Sequence, residues 1–246
     1  MPRRAAAIRI ACAGWSLPRE CWPQFSEAGT HLERYAGRFM AAEINSSFYR
    51  PHLPATYARW AGTVPAGFRF SVKLPKTITH EKRLRGCGGL LEDFLAQAAG
   101  LGSKLGCLLV QLPPSLAFDA TSAKPFFRAL RQQHAGQVAL EPRHASWVTP
   151  EADTALNESR LARVLADPVR HAPGGAPGGW PGLVYLRLHG SPRMYYSSYD
   201  EATLQALALK LRESADGGAE VWCIFDNTAS GAAVSNALEL QTLLGG

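Results

Sequence analysis

The sequence predicts an α/β fold, specifically a TIM-barrel-like (β/α)8 barrel formed by a single domain over residues 1–246, and three observations predict it. Eight short apolar or alternating segments recur along the chain, and segments of helical period separate most of them. The connections run to a dozen residues or more, the length that parallel strand pairing requires. The strand bodies are apolar but their C-terminal ends are polar, and barrels of this kind carry their reactive groups at those ends.

Taken in order, residues 8–13 (IRIACA) form the first strand, closed by Gly14-Trp15-Ser16. Leu32, Tyr35, Ala36 and Phe39 mark a helix over 31–39. The second strand is centred on Ile44 and leads into Asn45-Ser-Ser-Phe-Tyr-Arg-Pro51. A short helix follows over 56–63. Residues 68–73 (FRFSVK) alternate and form the third strand. A polar loop rich in lysine and arginine spans 75–89. A helix covers 90–101, and the fourth strand, 105–111 (LGCLLVQ), is nearly continuously apolar, as expected when both faces are covered.

Phe126, Phe127 and Leu130 define a helix over 121–133, and the fifth strand is 138–141. Thr149 as N-cap and Pro150 at the first helical position start a helix over 150–157. The sixth strand is 161–167. Residues 171–182 are rich in glycine and proline without periodicity, so the barrel is expected to be irregular across the crossover at 168–182. The seventh strand is 183–188, a helix spans 200–214, the eighth strand is 219–225 and a last helix covers 232–244. An open doubly wound sheet is the alternative. It is weakened by the lack of any Gly-x-Gly-x-x-Gly after the first strand and of any phosphate-binding Gly-x-x-x-x-Gly-Lys loop.

Composition sets the outer bounds. Hydrophobic residues make up 46% and charged residues 19% of the 246, an ordinary globular balance. The net charge of +6 permits an anionic partner without demanding one. Five cysteines at irregular spacing indicate neither a disulfide framework nor a zinc site and fit a reducing interior. The basic stretch at residues 2–7 lacks the apolar core of a signal peptide, and no run of about 18 apolar residues appears. The expectation is a soluble, cytoplasmic protein with no membrane partner, and no protein partner is indicated.

The strand ends nominate the site. They supply Glu43 and Asn45, Lys73, Gln111, Glu141 with Arg143 and His144, Asp167, Arg187 with His189, and Asp226 with Asn227. Glu43, Glu141, His144, Asp167 and Asp226 are the candidate catalytic residues. Asn45, Tyr49, Lys73, His80, Gln111, Arg143, Trp147, Arg187, His189 and Asn227 are the candidate substrate-binding residues. Glu43 and Glu141 can serve as general acid and base if their environments separate their pKa values. The alternative is that both form structural ion pairs with the arginines. Mixed histidine and carboxylate side chains suit a divalent metal, but no close ligand pair appears and the arginines oppose a cation. No metal ligand is therefore named and no cofactor is indicated, a divalent metal staying open. The basic loop with Lys73, Arg143, Arg187 and Arg193 suits a phosphate or carboxylate.

These strand ends carry a wider resemblance. Gly14-Trp15, 43–51 (EINSSFYRP), 70–73 (FSVK), 78–80 (ITH) with Arg83-Leu84, 104–106 (KLG), 111–115 (QLPPS), 141–147 (EPRHASW), 187–190 (RLHG), Tyr199 and 225–227 (FDN) resemble the domain of unknown function 72, or YecE-like, family over nearly the whole chain. The resemblance implies a TIM-barrel-like fold and brings no established reaction. Pro142 stands where that family often has a larger residue. The leading expectation is an enzyme of hydrolase, lyase or isomerase type acting on an anionic small molecule or nucleic-acid fragment at the C-terminal mouth. A non-catalytic nucleic-acid-binding or regulatory barrel and a divalent-metal-dependent hydrolase or isomerase are the alternatives.

Overall fold

The computed structural model describes residues 6–171 and 174–245. The basic residues 2–5, and residues 172 and 173 of the Gly/Pro-rich segment, lie outside the described residues. The strands are β1 (Ile8–Cys12), β2 (Ala41–Ile44), β3 (Arg69–Lys73), β4 (Leu105–Gln111), β5 (Gln137–Glu141), β6 in two segments (Ala162–Arg163 and Leu165–Asp167), β7 (Leu183–Leu188) and β8 (Glu220–Phe225). The helices are α1 (His31–Ala36), α2 (Pro54–Thr63), α3 (Gly88–Ala98), α4 (Ala120–Gln133), α5 (Pro150–Glu158), α6 (Glu201–Asp216) and α7 (Ala232–Leu243).

The eight strands follow one another in barrel order within two parallel sheets. One sheet runs from the second segment of β6 through β7 and β8 to β1, and the other from β2 through β5 to the first segment of β6. Strand β6 therefore serves both sheets. It bends at Val164, whose N–H still reaches the Leu140 carbonyl at 2.9 Å. Between β1 and β2 the ladder shrinks to one bridge, Ala13 with Glu43, and the Gly14 N–H donates to the Glu43 carbonyl at 2.8 Å. The result is barrel-like, with two weak seams.

Period-two alternation sorts the strand residues between two cores. One face packs outward against the helices through residues such as Phe70, Val72, Leu108, Val110, Val138 and Leu140. The other fills the interior with Ala11, Ala41, Cys107, Leu109, Ala139, Ala162, Val164, Leu183, Tyr185, Trp222 and Ile224. Small residues on β1, β2, β5 and β6 leave room for Trp222 and Tyr185, which stack at 6.0 Å. Gly106 takes part in this fit. It lies where the β3–β4 register shifts, and a Cβ there would meet the Trp222 ring at 2.7 Å.

The helix starts follow their caps. Thr30 and Glu33 form a reciprocal capping box at α1, Thr149 accepts from the Ala152 N–H at α5, and Asp200 accepts from the Thr203 N–H at α6. Three sequence expectations shift. The loop after β3 contains a π-helical turn, Thr77–Glu81, and the expected helix over 90–101 begins earlier and ends in a 3-10 turn, Ala99–Lys104. The expected single sixth strand is divided. The crossover after β6 has no helix among its described residues, as its composition implied. Instead Gly178–Gly179 pairs antiparallel with the first segment of β6. Gly178 passes against the Arg163 guanidinium, where a Cβ would approach Nη2 to 2.2 Å.

Candidate functional site

The inward face of the strands turns polar one layer above Tyr185. Arg187, on β7, is fully buried and sits among three carboxylates. Its Nε and Nη2 donate to the two oxygens of Glu43 at 3.1 and 2.7 Å. Nη1 donates to Glu141 Oε2 at 2.7 Å, and Nη2 also reaches Asp226 Oδ2 at 3.0 Å. A buried ion cluster is tolerable only when its donors and acceptors are matched, and here they are. Gln111 Nε2 donates to Glu141 Oε2 at 2.8 Å, and Arg143 donates to Glu141 Oε1 through Nε at 3.3 Å and Nη2 at 3.2 Å.

Beneath Glu43, Tyr185 Oη lies 2.8 Å from Glu43 Oε2 and 2.7 Å from Ser71 Oγ. The phenol has one proton. An ionised carboxylate can only accept, so the phenol donates to Glu43 and Ser71 donates to the phenol. Beside Arg187, His189 bridges two carboxylates, with Nδ1 at 2.9 Å from Asp226 and Nε2 at 3.2 Å from Glu141.

The electrostatics follow from burial and this pairing. Burial raises the Glu141 carboxyl, but Arg187, His189 and Arg143 outweigh it and hold the group well below the ordinary carboxylate range. Burial acts likewise on Asp226, and Arg187 and His189 again bring it below its ordinary value. Burial lowers the His189 imidazole, yet its hydrogen bonds to Asp226 and Glu141 raise it overall, which favours the doubly protonated ring donating to both carboxylates.

Lys73 stands apart. Its side chain is 7% exposed, at the end of β3. Among the described residues it makes no ion pair, and its Nζ lies over the Phe48 ring at 4.2 Å. Burial and the Arg187 charge bring its ammonium from 10.5 down to about 8, against the opposing pull of Glu43, Glu141 and Asp226. His80 packs edge-on against Phe48 at 4.9 Å, and burial, Lys73 and Arg143 lower its imidazole.

The structure thus brings together Glu43, Lys73, Gln111, Glu141, Arg143, Arg187, His189 and Asp226, with His80 and Asn45 on the same side. Asn45 Oδ1 is buried without a partner. Four named residues are engaged elsewhere. His144 Nδ1 caps the turn Ala145–Trp147 and bonds Ser146. Asp167 accepts from Tyr199 Oη at 2.7 Å and lines an outer groove between β6, β7 and α6. Trp147 is buried, donates to the Leu116 carbonyl and packs against Phe118. Asn227 donates to the Ser197 carbonyl and to Asn236. Tyr49 is 74% exposed at the rim.

Sequence reasoning did not single out Ser71, Tyr185 or Tyr195 as site residues. Ser71 and Tyr185 carried a usable signal, because they share the inward alternation of Lys73 and Arg187. Tyr195 has φ 69°, a strained conformation for a non-glycine residue, and its ring meets His189 edge-on at 5.6 Å while Arg143 reaches its hydroxyl at 3.5 Å.

The basic loop is largely tied into the fold. Lys76 pairs with Glu81, Arg83 bonds Ser115 and Arg85 pairs with Asp119. The guanidinium of Arg187 fills the space between the carboxylates. Among the described residues no three His, Cys, Asp or Glu side chains are grouped to hold a metal ion.

A family model described as a protein of unknown function, DUF72, matches residues 9–246. The chain belongs to the DUF72 family. Within it, the YecE protein of Escherichia coli is 36% identical over 106 residues, a stretch covering 43% of this chain and only 38% of that protein. The YunF protein of Bacillus subtilis is 23% identical, over 96% of this chain and 94% of its own length. A crystal structure of a DUF72 protein from Enterococcus faecalis superposes with a TM-score of 0.82, at 22% identity, over 97% of this chain and 96% of that one. That likeness supports the α/β barrel-like fold. Among the described residues no helix is long and apolar enough to cross a membrane.

Proposed function

We propose that this DUF72 protein is an enzyme that binds a small anionic substrate, bearing a phosphate or carboxylate, at the C-terminal mouth of the barrel. One observation carries the reading. Glu43, Glu141 and Asp226 are each bonded to Arg187, His189 or Arg143, while the buried cation Lys73 has no carboxylate partner among the described residues. Leaving a buried charge unpaired is costly, and such a cost is commonly borne where a ligand completes the pairing. A cleft beside the mouth, lined by Arg143, Arg163, Arg170 and His171 with Glu141, extends the positive surface.

On this reading Lys73 and Arg143 hold the anion. Glu43 is locked by Arg187 and Tyr185, and Glu141 and His189 by Arg187, Asp226 and each other, so they position Arg187 and Arg143 rather than exchange protons with substrate. Lys73, near neutrality, takes the acid–base part. The nucleic-acid alternative has less support, because the basic loop spends its charges on Glu81, Ser115 and Asp119.

The test is thermal unfolding with inorganic phosphate, citrate or a sugar phosphate at millimolar concentration. The expected result is an upward shift in Tm for the wild type, lost in Lys73→Met and reduced in Arg143→Gln. Equal shifts in all three proteins, or no shift with any of these anions, would overturn the proposal.

A further inference from the structure

We propose that Lys73 is a covalent nucleophile, whose amine condenses with the carbonyl carbon of an anionic aldehyde or ketone to form an imine at the barrel mouth. This deepens the anion reading and rests on it for the charge of the substrate.

The geometry singles out this amine from the other five lysines. Lys76 and Lys124 are paired with Glu81 and Glu158 near the surface, and Lys104 is bonded to the Ala61 and Val64 carbonyls at the end of α2. Lys82 and Lys210 are exposed. Lys73 alone is buried at a strand end, on the inward alternation of Ser71, against an aromatic ring and without a hydrogen bond to its Nζ among the described residues. Its Nζ is not among the sealed, unpartnered polar atoms, which among the described residues are Asn45 Oδ1, Tyr57 Oη, His134 Nε2 and Asn227 Oδ1. It therefore keeps contact with the mouth.

A lysine becomes a nucleophile when desolvation and neighbouring cations favour its neutral form. Both act here, through burial and through Arg187. At a pKa of about 8, roughly a tenth of the amine is neutral at pH 7. An ordinary exposed lysine has less than a thousandth neutral there. His80, kept neutral by burial and by the charges of Lys73 and Arg143, is a base on the same wall for the ammonium proton.

The step balances without any oxidant or reductant. The nitrogen lone pair forms the C–N bond as the carbonyl π pair moves onto oxygen. One proton passes from nitrogen to that oxygen and a second comes from solvent. The oxygen leaves as water, and the nitrogen lone pair closes the protonated C=N bond. Arg143 is placed to hold the phosphate or carboxylate of the same molecule.

The test is reductive trapping on the full chain. Dihydroxyacetone phosphate, pyruvate and uncharged dihydroxyacetone are incubated separately at pH 7 with sodium borohydride, followed by intact mass measurement and peptide mapping. The expected result is one adduct, with labelling at Lys73 exceeding that at any other lysine by about tenfold or more, well inside the roughly hundredfold or greater difference in neutral fraction. Lys73→Arg, which keeps the charge, should lose it. Label confined to exposed lysines such as Lys76 and Lys82, in protein that still shows the phosphate-induced Tm shift, would overturn the imine and leave anion binding intact. Equal trapping of the charged and uncharged ketones at Lys73 would support the imine and overturn the anion reading.

Discussion

Arg187 Nη2 meets Glu43 Oε1 at 2.7 Å, across 144 residues of sequence and with both side chains sealed from solvent. This contact ties β7 to β2 across the barrel interior. It also fixes the remaining Arg187 donors against Glu141 and Asp226.

Removing one partner of such a buried pair strands the other charge, which typically costs about 3–5 kcal/mol. Arg187→Met is therefore expected to lower the urea midpoint sharply. Adding Glu43→Gln should restore part of the loss, because it neutralises one of the stranded carboxylates. A double-mutant cycle over Glu43 and Arg187 reads the coupling directly, and strictly additive single effects would refute this account of the cluster.

The pH dependence of stability follows from the same network. Glu141 and Asp226 are lowered in the fold, so their contribution is present above their unfolded values of about 4 and is lost as pH falls through their folded values. His189 is raised, so its contribution is full below about 6.5 and is lost as pH rises through its folded value. Tm should therefore peak on the mildly acidic side. His189→Asn should flatten the decline above that peak and weaken the acid limb without abolishing it, because Arg187 still lowers Glu141 and Asp226. An unchanged alkaline decline in that variant would show that His189 does not carry it.

Lys73 contributes with the opposite sign. A base lowered from 10.5 to about 8 makes the folded state pay for its charge below pH 8. That depression corresponds to as much as ~3 kcal/mol. Lys73→Met, which keeps the volume and removes the charge, is expected to raise the urea midpoint at pH 7 and to do so less at pH 10. A destabilised Lys73→Met at pH 7 would mean that the ammonium is paired after all. Such stability sacrificed at one side chain is characteristic of functional groups.

The fold was legible because its strands carry two independent signals, apolar bodies and polar C-terminal ends. Glu43, Lys73, Gln111, Glu141, Arg187 and Asp226 could all be read from those ends, since period-two alternation sends them to one interior. His144, Asp167, Trp147 and Asn227 lie equally near strand ends but turn outward or into loops. Their partners, Ser146, Tyr199, Leu116 and Asn236, are set by tertiary packing that no local pattern encodes. The division of β6 at Val164 was illegible for the same reason, since only its two neighbours, β5 and β7, reveal that it serves two sheets. Tyr185 was overlooked because an aromatic residue inside a strand body usually means core.

Tyr185 also links the site to the floor of the barrel, and Gly106 tests that link. A Cβ at Gly106 would stand 2.7 Å from the Trp222 ring and 3.0 Å from Arg69 Cβ. Trp222 cannot yield easily. Its Nε1 donates to Gln137 Oε1 at 3.0 Å, Arg9 lies over its ring and Tyr185 stacks on it. Gly106→Ala should cost about 1–3 kcal/mol, the usual penalty for overpacking a filled core. It should also perturb the near-UV circular dichroism of the Trp222–Tyr185 stack, and through the Tyr185 hydroxyl weaken the phosphate-induced Tm shift. Gly89 is the matched control. It lies exposed in α3 with nothing within 4 Å of an added Cβ, so Gly89→Ala should be neutral or stabilise by about 0.5–1 kcal/mol. If both substitutions behave alike, the close approach of Gly106 to Trp222 is not what positions Tyr185 beneath Glu43.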